Sequence, residues 1–170
     1  MINWKLIAKI LGSLLFIEAF FMALCLIMTV VYGETDLLVF MLSTAITSGG
    51  ALLLRILGRD ADNSLSRRDA YIVVTLTWVV FSLFGMLPFL IQGRPVNLAD
   101  AYFETMSGFT TTGVTVIDDV ESLSHGLLFW RSLMQWIGGL GIVFFTVALL
   151  PSLVGGSVKV FAAEATGPMR

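Results

Sequence analysis

The residues best placed to do chemistry in this 170-residue chain are threonines. The string Thr110-Thr111-Thr112-Gly113-Val114-Thr115 follows directly on the run from Asn97 to Phe109. No nucleophile, base and orienting group converge on one segment, so an enzyme is the poorest reading and no catalytic residue is assigned. Cys25 is alone, which excludes an intramolecular disulfide and a cysteine metal site. His125 is also alone, and a surface histidine is its simplest reading. A threonine–glycine string offers backbone carbonyl oxygen instead. Carbonyls that line a watery cavity replace the hydration shell of a cation, and Gly113 supplies a position where a positive φ costs little. Alone the string carries almost no weight; its neighbours decide.

Those neighbours are set by composition. The chain is 57% apolar and 13% charged, with a mean hydropathy of +0.92, whereas soluble domains run about 45–50% apolar and about 25% charged. A soluble fold of this size leaves roughly a third of its unfolded area in water, too much for this composition. The class is integral membrane protein, with the lipid bilayer as its surroundings. Twelve acidic and ten basic residues leave no basic excess for nucleic acid. An apolar run of about 20 residues crosses the hydrocarbon core as a helix. Four runs qualify: Ile10 to Tyr32, broken only by Glu18; Leu37 to Leu54; Ala70 to Ile91; and Ser132 to Leu150.

Charge placement predicts the orientation. With the N-terminus inside, Lys5, Lys9, Arg55, Arg59, Arg67, Arg68, Lys159 and Arg170 fall on the cytoplasmic side, and only Arg94 and Arg131 outside. The positive-inside rule selects this arrangement. The expected organisation is a helical hairpin over residues 1–58, a cytoplasmic loop over 59–69, a second unit over 70–151 and a cytoplasmic segment over 152–170. Ser66 and Asp69 fit a capping box opening the third span.

The segment from Asn97 to Phe109 does not fit a span. Some ten helical residues reach about 15 Å, half the hydrocarbon thickness. Asn97 suits the N-cap, Asp100 the first turn and Gly108 the end. Both neighbouring spans place its ends outside, so it dips in and returns or lies on the outer surface. Five or six extended residues cover roughly 16–20 Å, which Thr110 to Thr115 supplies for the return. Such backbone is tolerated at membrane depth only where it is buried in protein or lines a cavity. A pore loop is the favoured reading, and an amphipathic surface helix with a threonine-rich turn stays open.

At this point two long motifs resemble a known family. Phe103-Glu-Thr-Met-Ser-Gly-Phe-Thr-Thr-Thr-Gly-Val-Thr115 is similar to the first pore loop of the Trk/Ktr/HKT superfamily of potassium transporters. Trp130-Arg-Ser-Leu-Met-Gln-Trp-Ile-Gly-Gly-Leu-Gly-Ile-Val143 is similar to the start of the helix that follows that loop. Leu149-Leu-Pro151 and Ala163-Glu-Ala-Thr-Gly-Pro168 resemble the bacterial Trk-type (TrkH-like) membrane subunit, of which the chain would be the N-terminal part. The resemblance implies an all-α membrane protein with four transmembrane helices, a re-entrant pore helix and a filter loop. Four such helix–pore loop–helix units surround one axis in the family, in the bacterial inner membrane. It further implies potassium uptake with K+ as the transported ion and no cofactor. Thr110, Thr111, Thr112, Gly113 and Val114 would form the filter, and the carbonyls of Thr111, Thr112 and Gly113 would hold K+. Val114-Thr115 stands where potassium channels have Tyr-Gly, which implies a less regular filter. The implied partners are three further pore units of the same polypeptide, a second copy in a homodimer, and a cytoplasmic nucleotide-binding regulatory ring.

The other polar residues have plainer readings. Gly138-Gly-Leu-Gly141 lies inside an apolar span and lets helices approach closely. Arg131 snorkels outward or pairs with Glu104 or Asp118. Glu18 is a carboxylate within a span and faces other helices or is protonated. Pro88 predicts a kink, and Gln135 an interhelical bond. One filter loop cannot surround an ion, and four units of the size of residues 70–150 need about twice this length. The chain is therefore expected to be a fragment. A complete subunit of a homotetrameric cation channel and a non-conducting structural subunit are the alternatives.

Overall fold

The computed structural model describes residues 2–62, 66–95 and 97–143 and is helical wherever it is regular. Helix α1 (Trp4–Tyr32) and helix α2 (Leu37–Leu57) form an antiparallel pair. Their backbones touch where Gly12 meets Ala51 and Arg55 and where Gly58 meets Lys5 and Lys9. Further along the seam, the Thr47 hydroxyl lies 3.5 Å from the Met22 sulfur. Large apolar side chains such as Phe20, Ile27, Leu38 and Leu53 are left exposed on the pair, a surface that suits lipid rather than water.

Helix α3 (Arg67–Gly85) opens with the anticipated capping box: Ser66 accepts from the Asp69 N–H, and the Asp69 carboxylate accepts from the Ser66 N–H. The third span is then interrupted at Met86, and α4 (Leu87–Gln92) continues it. Pro88 explains the interruption, because it has no N–H for the carbonyl four residues back. Among the described residues three stretches are long and apolar enough to cross a membrane: Trp4–Tyr32, Leu37–Leu57 and Arg68–Gln92. The chain is an integral membrane protein.

Helix α5 (Leu98–Phe109) has 12 residues, about 18 Å of helix. The last helix among the described residues, α6, runs over residues 125–143. It starts earlier than the apolar run from Ser132, because the turn after Ser124 carries it through Trp130 and Arg131. The remainder of that run, Leu149-Leu-Pro151, Lys159, Ala163 to Pro168 and Arg170 lie outside the described residues. The core runs from the α1–α2 pair, with Leu15, Met22 and Phe40, into the later helices around Phe81, Phe89, Phe109, Trp130 and Met134. The Trp130 indole N–H donates to the Gly85 carbonyl at 2.9 Å. The Phe109 ring packs against Phe81 and edge-on to Trp130, with centroids 5.4 and 6.2 Å apart.

Candidate functional site

Helix α5 is held by α3 and α6. Gly85 lies against Thr105 and Phe109, Ser82 reaches the Met106 sulfur at 3.2 Å, and Gly138 of α6 rests on the Phe109 backbone. A Cβ on Gly138 would overlap the Phe109 carbonyl, so the close approach read for the Gly138–Gly141 stretch is realised at its first residue. Asn97 is the N-cap by position, but its side-chain amide turns to the Asp100 carboxylate at 3.2 Å and caps nothing.

The left-handed residue that closes the helix is Thr111, three residues beyond Gly108. The Thr111 N–H donates to the Gly108 carbonyl and the Thr112 N–H to the Ser107 carbonyl, both at 3.0 Å. With Thr111 left-handed at φ +56°, this is a Schellman termination with threonine where glycine is usual. Gly108 instead lies against the Met134 side chain. Gly113 takes φ +77°, the left-handed conformation anticipated for it.

Beyond this turn the chain doubles back along its own helix. Ser107 Oγ donates to the Val114 carbonyl at 2.6 Å, and Thr115 Oγ1 donates to Glu104 at 2.9 Å. The Val116 N–H donates to the same carboxylate at 3.0 Å. Glu104 and Ser107 are three apart and share one face of α5, so the returning strand is hung on two rungs of the helix. Thr110 Oγ1 lies 2.8 Å from Thr112 Oγ1 and donates to the Met106 carbonyl. The carbonyls of Thr111, Thr112 and Gly113 accept no hydrogen bond from any described residue. Residues 111–116 are exposed.

Glu104 itself is nearly buried and forms an ion pair with Arg131 of α6. Of the readings open for Arg131, the structure selects this pair; the guanidinium does not snorkel, and Asp118 is not its partner. The carboxylate joins α5, the returning strand and α6. Ser107 carried no sequence signal beyond its place one turn from Glu104, and nothing in the sequence marked Thr111 as the left-handed residue that ends α5.

The remaining polar residues sort by location. Glu18 is fully buried, and its Oε1 faces Gly85 with no hydrogen-bond partner among the described residues. His125 is half exposed and opens α6; its N–H and ring Nδ1 meet the Glu34 carboxylate at 2.9 and 2.7 Å, and its ring stacks on Tyr32. The Gly126 N–H also points at Glu34, at 3.3 Å. Partial burial would raise the Glu34 pKa, but these hydrogen bonds outweigh it and hold the group below its usual range. Gln135 is exposed beside Gly113 and Val114 and makes no interhelical bond with a described residue.

The motif that turns back on α5 can now be set beside known proteins. The model of the TrkH family, described as a cation transport protein, matches residues 36–170. The chain belongs to the TrkH family. Its members transport cations, and no enzyme activity defines it. The Trk system potassium uptake protein TrkI of Halomonas elongata is 39% identical over 96% of this chain and 33% of its own length. TrkH of Escherichia coli K12, also a Trk system potassium uptake protein, is 40% identical over 66% of the chain and 23% of its own length. The crystal structure of the potassium transporter TrkH from Vibrio parahaemolyticus superposes with a TM-score of 0.83 at 32% identity, over 88% of this chain and 32% of that one. The chain thus spans about a third of the length of the relatives it matches along most of its own length.

Proposed function

We propose that this chain is the N-terminal part of a potassium uptake protein and supplies its first pore unit. In this reading residues 1–58 are a peripheral helix pair and 59–69 a cytoplasmic loop. Residues 70–151 are the unit itself, and 152–170 lead on to the rest of the polypeptide. Helices α3 and α4 form the outer helix, α5 the pore helix and α6 the inner helix. The chain sits in the bacterial inner membrane with its N-terminus inside. Potassium enters down its electrochemical gradient, worth about 2.3 kcal/mol per charge per 100 mV.

The observation that carries this reading is the run of successive carbonyls on Thr111, Thr112 and Gly113 that accept no hydrogen bond in an exposed strand. Backbone acceptors left open at membrane depth need a partner, and a dehydrated cation is the partner that carbonyl rings suit. Thr110 lies beneath them, and Val114 closes the strand with its carbonyl committed to Ser107. Three further pore units, a second copy in a homodimer and a cytoplasmic nucleotide-binding ring complete the assembly that the family resemblance implies.

The test is Gly113→Asp in the full-length protein. No contact blocks a side chain at Gly113, and aspartate is among the residues that tolerate its φ of +77°, so the substitution acts by adding a carboxylate's charge beside the ion path. Rubidium uptake should be abolished while membrane abundance is kept. Normal uptake would sink the filter assignment.

A further inference from the structure

We propose that the cavity between the α1–α2 turn, the end of α4 and the start of α6 binds the phosphoethanolamine headgroup of a membrane lipid. Gly33 ends α1 at φ +65°, and the chain turns directly into α2, which begins at Leu37. The turn carries two acids, Glu34 and Asp36, and both line the cavity together with Arg94, Ser122 and His125. Its volume is about 500 Å³, the size of a small-ligand site.

The two acids are used differently. Glu34 is committed to the first N–H groups of α6 and to the His125 ring. Asp36 stands at the N-cap position of α2 but makes no capping bond. It is 3% exposed, and its Oδ2 is buried with no hydrogen-bond partner among the described residues. A buried carboxylate left without a donor is destabilising, and a ligand N–H relieves it. On the same cavity, Arg94 donates to the Ser122 hydroxyl at 3.4 Å, and no carboxylate of the described residues lies within ion-pair distance of it. An acid and a base thus line one space without meeting each other. A ligand with a cationic donor at one end and an anion at the other satisfies both, and the guanidinium fork matches phosphate. The level fits a lipid. Helices α1 and α2 are span-length and meet at this turn, which places the cavity at the depth of the headgroups. Exposed Val31 and Leu38 beside the turn suit acyl chains. A primary ammonium brings N–H groups to Asp36, whereas the trimethylammonium of choline brings none and a glycerol headgroup lacks the positive charge.

The test counts lipid bound to the full-length protein by native mass spectrometry while phosphatidylethanolamine, phosphatidylcholine or phosphatidylglycerol is titrated. Phosphatidylethanolamine should bind about ten-fold more tightly than either of the others, the effect of one hydrogen bond between charged groups. Asp36→Asn, which keeps the shape and removes the charge, should bring phosphatidylethanolamine down to the level of phosphatidylcholine. Arg94→Gln should weaken phosphatidylethanolamine about five-fold. Equal binding of the three lipids by the wild type overturns the proposal, and so does undiminished binding by Asp36→Asn. Displacement of the lipid by millimolar free phosphoethanolamine also overturns it, since the site would then serve a soluble ligand. If Asp36→Asn does not fold, Arg94→Gln, exposed and outside any helix, decides in its place. Unchanged binding by that variant overturns the site.

Discussion

Arg131 and Glu104 are an expensive pair to bury, with side chains 16% and 3% exposed. Removing one member of a buried pair typically costs about 3–5 kcal/mol, because the other charge is left uncompensated, whereas replacing both with apolar groups is often neutral. Arg131→Met in the full-length protein should therefore lower thermal stability by about that amount. Glu104→Leu with Arg131→Met should restore most of it. The double variant should still fail in rubidium uptake, since Thr115 Oγ1 and the Val116 N–H would lose their acceptor. A melting temperature for Arg131→Met equal to wild type would show that the pair carries no structural load. The sequence displayed both charges, but it could not choose among snorkelling, Glu104 and Asp118. That choice is made by α5 and α6 lying side by side, through contacts such as Gly138 on Phe109.

At the scale of elements, the turn between α1 and α2 is fastened to the start of α6. The Glu34 carboxylate accepts from the first two N–H groups of α6 and meets the His125 ring. An acid at a helix N-terminus satisfies otherwise orphaned donors, an effect of about 1 kcal/mol. Because the folded state holds Glu34 below its usual range, this contribution is complete above the unfolded value of about 4.3 and is lost as pH falls through the lower folded value. Glu34→Gln should be less stable than wild type at neutral pH, and the difference should shrink as the pH falls below about 4.3 and vanish only below the lower folded value; a difference constant with pH would contradict the clamp. Local chemistry of this kind is partly legible from sequence. The Ser66–Asp69 box, the Pro88 interruption and the positive φ of Gly113 follow from residue type and spacing. The end of α5 does not. Threonine rarely takes the left-handed position that Thr111 occupies, so Gly108 drew the prediction and packing on Met134 proved to be its role.

The described residues leave one face of the molecule open. Residues 111–116 are exposed, and on α6 so are Gln135, Ile142 and Val143. Length and hydropathy established membrane spans, while the close contacts among α3, α5 and α6 depend on pairs far apart in sequence, such as Trp130 with Gly85. The open face follows from that packing, since the returning segment hangs on Glu104 and Ser107 of its own helix and leaves the Thr111, Thr112 and Gly113 carbonyls without a donor among the described residues. One strand offers an ion at most one side of a coordination shell, and a carbonyl ring requires four. In the proposed filter the missing sides would come from further units of one polypeptide or from other copies of this chain, and the two sources differ in what residues 1–170 do alone. In the proposed assembly, liposomes containing only residues 1–170 should take up no more rubidium than empty liposomes, while the full-length protein should give robust uptake. Uptake by the 170-residue chain, together with a cross-linked mass of four chains, would assign the pore to a homotetramer and overturn the single-polypeptide arrangement.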